Sequence, residues 1–280
     1  MTHKKNFDQN NLIRFLVIAF VFSWMIWGLG VVLSYSSDAD LPLWIVLPII
    51  IIGAFGPFVG SVWCTYKSGG REEVKTFLKR GIKIKEIPGW IWMAIFLIPI
   101  CTMLVTIYIV NLVYAEGGLS LTGIFILPFY IILMYLGGSL QEEYGWRGFA
   151  LDRLQAKWNA LFSSIVLGFI WASWHLPLFY IKGAHQQNMH MGLFFISTIM
   201  IAIIMTWLHN NSNSNIFVAM TFHSIGNAII IIAETEGVGR AAMKAGEMYH
   251  VIAQIVIALL IVIIWGPKTL TRSTSSNSHG

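Results

Sequence analysis

The sequence predicts an all-α fold: a polytopic membrane bundle of about eight transmembrane helices with both termini on the cytoplasmic side. Three observations predict it. The first is composition. Of 280 residues, 56% are hydrophobic and 11% are charged, whereas a soluble domain carries about 25% charged residues. So few charges cannot coat a soluble globule, and the same hydrophobicity excludes a disordered chain. The second is run length. Apolar stretches of roughly 20 residues recur, enough for a helix to cross ~30 Å of hydrocarbon, and they lack the apolar–polar alternation of barrel strands. The third is charge placement. With both ends inside, 15 of the 18 Lys and Arg residues fall on the cytoplasmic side, as the positive-inside rule requires. Only Lys182, Arg240 and Lys244 fall outside, among Asp38, Asp40, Glu116, Glu234, Glu236 and Glu247. The net charge of +5 is therefore topological and gives no reason to invoke nucleic acid.

The first predicted span, 12–34, has a basic start like a signal peptide. Its apolar core is longer than an h-region and no A-x-A site follows, so it reads as a retained anchor. Span two, 42–66, leads into a basic segment, 67–85, expected as a solvated cytoplasmic loop. Its alternative partner is a surface of anionic headgroups, worth about 1 kcal/mol per Lys or Arg. Spans 90–114, 120–141, 160–181, 191–209, 215–233 and 248–266 follow. Together they make one membrane domain over residues 1–268, and the Ser/Thr/Asn-rich tail 269–280 is expected to be disordered. Cys64 and Cys101 both fall inside spans and read as core fillers, with neither a disulfide framework nor zinc-finger spacing. His185 to His190 reads as a polar outside loop, and His209 as part of a cytoplasmic turn.

Ionisable residues in or near spans are costly there and mark candidate sites. Three segments stand out. Gly137-Gly138-Ser139-Leu140-Gln141-Glu142-Glu143-Tyr144-Gly145-Trp146-Arg147 closes span four. Glu143 and Arg147 are four apart and share a helix face, which suits an ion pair and leaves Glu142 for other work. A carboxylate among aromatic rings suits a general base. Trp171-Ala172-Ser173-Trp174-His175 places an imidazole in span five, one turn after Trp171. His223 and Asn227, again one turn apart, place a second imidazole and an amide in span seven. Each segment alone also fits a structural role: an interfacial charge cluster, a tethered histidine, or helix–helix glue. Together they supply a base, two imidazoles and an amide, enough to activate a water and stabilise an oxyanion. Glu142, His175 and His223 equally satisfy a three-ligand catalytic zinc site with an open position. Both mechanisms stay open.

These residues, in this order, resemble the CPBP family of intramembrane proteases, also called the CAAX-protease/Abi family, which includes the Rce1 prenyl-protein endopeptidases. The family pattern is Glu-Glu-x-x-x-Arg, then Phe-x-x-x-His, then His-x-x-x-Asn, the last position also taking another small or polar residue. Glu142-Glu143-x-x-x-Arg147 and His223-x-x-x-Asn227 match, while Trp171 stands in place of the phenylalanine before His175. The resemblance covers about residues 125–232, within a core of about 120–235. It implies an intramembrane endopeptidase acting on a membrane-associated protein or peptide. Glu142 and His175 would activate the water, His223 and Asn227 would polarise the carbonyl or hold the oxyanion, and Glu143, Arg147 and Trp171 would support them. It implies no obligatory cofactor, or one divalent metal such as zinc on Glu142, His175 and His223. The partners implied are substrate and lipid bilayer. The setting implied is a multi-pass protein of a bacterial plasma membrane, its site opening to the cytoplasm. A non-catalytic scaffold or bacteriocin self-immunity protein is the alternative from the same family. A small transporter would need internal symmetry, which the sequence lacks.

Helical rise poses a difficulty. Glu142 sits near the end of span four, yet His175 lies roughly 22 Å into span five and His223 roughly 12 Å into span seven. The depths agree if residues 146–163 form an interfacial or re-entrant element, or if span four lies deeper than drawn. An amphipathic segment over Arg147–Lys157 and a water-filled cavity in the cytoplasmic half are expected.

Overall fold

The structure is a computed structural model that describes residues 9–36, 41–85, 87–234 and 236–272. It is all-helical, with no strand among the described residues beyond one isolated bridge between Leu119 and Ala233. In hydrocarbon every backbone N–H and C=O needs an internal partner, and a helix supplies one locally. The apolar runs accordingly become α1 (Gln9–Tyr35), α2 (Leu43–Gly53), α3 (Gly56–Lys79), α4 (Gly89–Tyr114) and α5 (Leu121–Met134). Then come α6 (Leu140–Gly145), α7 (Asp152–Lys157), α8 (Ala160–Trp174), α9 (Met191–Asn210), α10 (Ile216–Ala228) and α11 (Arg240–Trp265). Seven helical segments among the described residues are long and apolar enough to cross a membrane, and an eighth, Ile216–Ile232, is shorter. The expected set of about eight is therefore present.

The core lies where α8 packs on α9, α3 packs on α1 and α6, and α10 closes against α4, α5 and α9. Trp27, Trp146, Trp174 and Phe149 are fully buried there. By contrast α5 presents Leu121, Phe125 and Phe129 outward, with Phe125 86% exposed. Large exposed apolar residues on this scale suit contact with lipid rather than water.

Hydrogen bonds sort the loops into two ends. Asn215 donates to Lys83 O, Asn210 to Thr269 O, and the Ala160 N–H to Lys268 O. The turns near residues 83, 159, 212 and 268, of which those at 83, 159 and 268 carry Lys83, Lys85, Lys157 and Lys268, therefore share one end. At the other end the Ser120 N–H donates to Ile232 O, the Gly239 N–H to Glu116 and the His190 N–H to Glu247. The sequence-based grouping of basic and acidic loops thus holds as a grouping in space for these loops.

Several expectations are corrected. Residues 67–85 are not a loop. Helix α3 continues through them to Lys79, followed by a 3-10 turn at Arg80–Ile82, with a sharp bend at Gly70 (φ 67°, ψ −158°). That backbone conformation is open to glycine and strained for other residues. The fourth span does not end at 141. Helical structure runs unbroken from Leu121 to Lys157. Its part expected to be amphipathic is buried from Arg147 to Leu151, and only the turn 152–157 is partly open. His209 is not in a turn: it ends α9, fully buried, with Nε2 3.5 Å from Asp152 Oδ1. Cys64 is buried, but Cys101 is exposed and fills no core. Of the tail expected to be disordered, Leu270 is buried and accepts from Asn211 through its carbonyl. Residues 273–280 lie outside the described residues.

Candidate active site

Helix α6 carries the Glu-Glu motif and lies between two π-helical stretches, Tyr135–Ser139 and Trp146–Leu151. Such wide turns shift the facing of the residues beyond them and recur at functional sites. They let a Gly-rich, polar stretch stay helical at depth. A close crossing fixes the height of α6. A Cβ on Gly145 would lie 2.4 Å from Pro57 Cβ and 2.7 Å from Pro57 O, so only glycine lets α6 meet the start of α3.

The depth difficulty disappears with the longer fourth rod. Glu142 precedes the rod's end at Lys157 by as many residues as His175 follows the start of α8 at Ala160. Both therefore lie about 22 Å from the shared turn. The His175 Nε2 is 3.9 Å from Glu142 Oε2. Residues 146–163 need not be re-entrant.

Four side chains converge on Trp171 of α8. Its indole N–H donates to Glu142 Oε2 at 2.7 Å. The Arg147 guanidinium lies over its ring at 4.3 Å, and the His223 ring meets it edge-on at 5.2 Å. Its carbonyl oxygen is 2.8 Å from His175 Nδ1. A carbonyl only accepts, so Nδ1 of a neutral His175 carries the proton and Nε2 keeps its lone pair toward Glu142. Arg147 Nη1 donates to both Glu143 oxygens at 2.9 and 3.0 Å, and Glu143 Oε1 also takes the proton of His223 Nδ1 at 2.8 Å. The predicted Glu143–Arg147 pair is thus formed and extends to α10. Arg147 Nε and Nη2 are buried without acceptors, and the Trp171 face offsets part of that cost.

The fold therefore brings together Glu142, Glu143, Arg147, Trp171, His175 and His223. Asn227 stands apart, exposed near the end of α10. The expected open cavity is not formed around them: Glu142, His175 and His223 are 6%, 9% and 6% exposed. Among the described residues no three His, Cys, Asp or Glu side chains are grouped to hold a metal. The sequence reading places Trp171 among the supporting residues, in the position of a phenylalanine, without assigning it a bond. The available signal was its indole N–H, which buried in apolar surroundings must find an acceptor. It also missed Tyr144, whose hydroxyl donates to Leu78 O at 2.7 Å and ties α6 to α3.

Comparison with known proteins falls on the same segment. Residues 124–229 match the family model described as type II CAAX prenyl endopeptidase Rce1-like. CAAX prenyl protease 2 of Methanococcus maripaludis is 29% identical over 227 residues, covering 76% of this chain and 81% of that protein. Lysostaphin resistance protein A from two strains of Staphylococcus epidermidis is 23% identical over 260 residues, covering 90% of this chain and 64% of the relative. The chain thus aligns with just under two thirds of the length of those staphylococcal relatives. The matched segment carries the helices that gather the buried Glu, His and Arg side chains, and its similarity to the Rce1-like endopeptidases indicates a membrane peptidase.

Proposed function

We propose that the chain is an intramembrane endopeptidase that hydrolyses a peptide bond of a membrane-associated protein or peptide through a water held between Glu142 and His175. The observation that carries this reading is the facing of two nearly buried acceptors, Glu142 Oε2 and His175 Nε2, across 3.9 Å. A water there donates to both. Its oxygen attacks the scissile carbonyl carbon while Glu142 takes one proton, and the peptide oxygen becomes an oxyanion. His223, held by its Nδ1 bond to Glu143, turns Nε2 toward that oxygen as a donor. The Asn227 amide supplies a second donor once substrate covers the exposed end of α10. Collapse breaks the C–N bond, and the proton held by Glu142 passes to the leaving amine. Arg147 orients Glu143 through both carboxylate oxygens. Substrate entry requires the buried site to open, and α5, whose Leu121, Phe125 and Phe129 face outward, is the helix we infer to move. The cytoplasmic opening belongs to this proposal.

The test is cleavage of a membrane-tethered reporter peptide by purified protein. Glu142→Gln, His175→Ala and His223→Ala are each expected to abolish cleavage while the protein still accumulates in the membrane. Full activity in Glu142→Gln would sink the reading. The staphylococcal relatives named for lysostaphin resistance favour a second reading, a scaffold that protects a cell without proteolysis. A Glu142→Gln protein that still protects would support it.

A further inference from the structure

The bend in α3 creates a groove that the site does not use. Beyond Gly70 the helix turns back alongside its first arm. Phe58, Val59, Val62, Trp63 and Tyr66 on one arm and Arg71, Val74 and Lys75 on the other line a groove of about 540 Å3. Its walls are apolar and its two cations lie one turn apart on the returning arm. The Trp63 and Tyr66 rings are about half exposed, and amphipathic rings at such positions sit at the headgroup level. Seven Lys or Arg against three Glu fall between residues 67 and 86. Arg71 has no carboxylate partner among the described residues, and Lys75 is held only by the exposed Glu72 at 2.6 Å, a kind of pair that contributes little.

We propose that this groove binds one anionic phospholipid, with its phosphate between Arg71 and Lys75 and one acyl chain along Phe58, Val62 and Trp63. Charge complementarity selects this occupant. An apolar groove alone would accept any lipid, whereas two cations at its edge favour a headgroup with net negative charge. The groove also borders the motif helix. Tyr144, the neighbour of Glu143, is contacted by Phe58 on the first arm and Phe77 on the second, both at 5.5 Å. A lipid between the arms therefore sets the spacing of the clamp that seats α6. The binding itself does not depend on the catalytic reading.

The experiment is native mass spectrometry of the full chain in detergent, titrated with phosphatidylglycerol or phosphatidylcholine of identical acyl chains. One phosphatidylglycerol is expected to be retained about 30-fold more tightly than phosphatidylcholine, from two cations near the headgroup. Arg71→Gln with Lys75→Gln, both exposed and outside the core, is expected to erase that preference. Glu72→Gln, which frees Lys75, is expected to strengthen it. Val62→Trp, which fills the groove, is expected to lower retention of both lipids. Equal retention of the two lipids, an unchanged preference in the double variant, or a groove shown by Val62→Trp to hold a second copy of the chain would each overturn the proposal.

Discussion

The Trp171 indole N–H donates to Glu142 Oε2 at 2.7 Å, and that same oxygen faces His175 Nε2 at 3.9 Å. Tryptophan at this position thus does something phenylalanine cannot. It fixes the rotation of the carboxylate while its face carries Arg147 and its edge meets His223.

Trp171→Phe isolates the N–H, because the ring stays under Arg147 and beside His223. A hydrogen bond to a charged group contributes about 1.5–3 kcal/mol. If half or more of that positions the carboxylate for attack, kcat falls roughly 10-fold with KM little changed. Trp171→Ala, which also removes the packing, is expected to lower both kcat and yield. Steady-state kinetics on the reporter peptide decide it, and an undiminished kcat in Trp171→Phe would remove Trp171 from the positioning role.

The Glu143–Arg147 pair is fully buried. Removing one partner of such a pair leaves an uncompensated charge and costs about 3–5 kcal/mol. Arg147→Met is therefore expected to lower thermal stability in detergent and membrane yield far more than Glu142→Gln does. Arg147→Lys keeps the charge but loses the contact with both carboxylate oxygens, and should fall between them. Thermal unfolding followed by size-exclusion fluorescence gives the order. An Arg147→Met protein as stable as wild type would show that the buried pair does not hold the fold.

How much of this was legible follows from residue separation. The Glu143–Arg147 pair could be read directly, because i and i+4 on a helix meet whatever the rest of the chain does. The spans were legible because hydrocarbon imposes their length. The end of span four was not. Two glycines followed by Gln141-Glu142-Glu143 look like a helix terminus, and only the π-helical stretches and the contact with Pro57 show that the rod continues. The bond from His223 to Glu143 joins residues 80 positions apart, and no local pattern encodes it. The return arm of α3 was hidden for a related reason. Its charges read as a loop because Gly70 permits a reversal that leaves the helix count unchanged.

Glycines in the motif segment predict opposite outcomes for the same substitution. Gly145→Ala drives a methyl into Pro57, and overpacking of this kind costs about 1–3 kcal/mol when the backbone must yield. Since that crossing sets the height of α6, activity is expected to fall with stability. Gly137→Ala meets nothing within 4 Å and is expected to leave stability unchanged or slightly raised. Paired thermal unfolding and cleavage measurements check both, and a silent Gly145→Ala would mean that α3 and α6 are not held at this distance.

The last prediction concerns metal. A three-ligand zinc site needs Glu142, His175 and His223 to turn nitrogen and oxygen lone pairs toward one point at about 2.0–2.2 Å. Here the Nδ1 of each histidine is committed elsewhere, to Trp171 O and to Glu143. That leaves Nε2 of each ring and Glu142 Oε1 as the ligand atoms. Among the described residues the three side chains are not grouped to hold a metal. Cleavage by purified protein is therefore expected to survive phenanthroline and EDTA. Loss of activity on chelation, restored by added zinc but not by magnesium, would show that the pocket rearranges around a metal and would replace the glutamate–water reading. Zinc titration of the purified protein separates the two mechanisms by a readout other than activity: the glutamate–water reading expects no stoichiometric zinc binding.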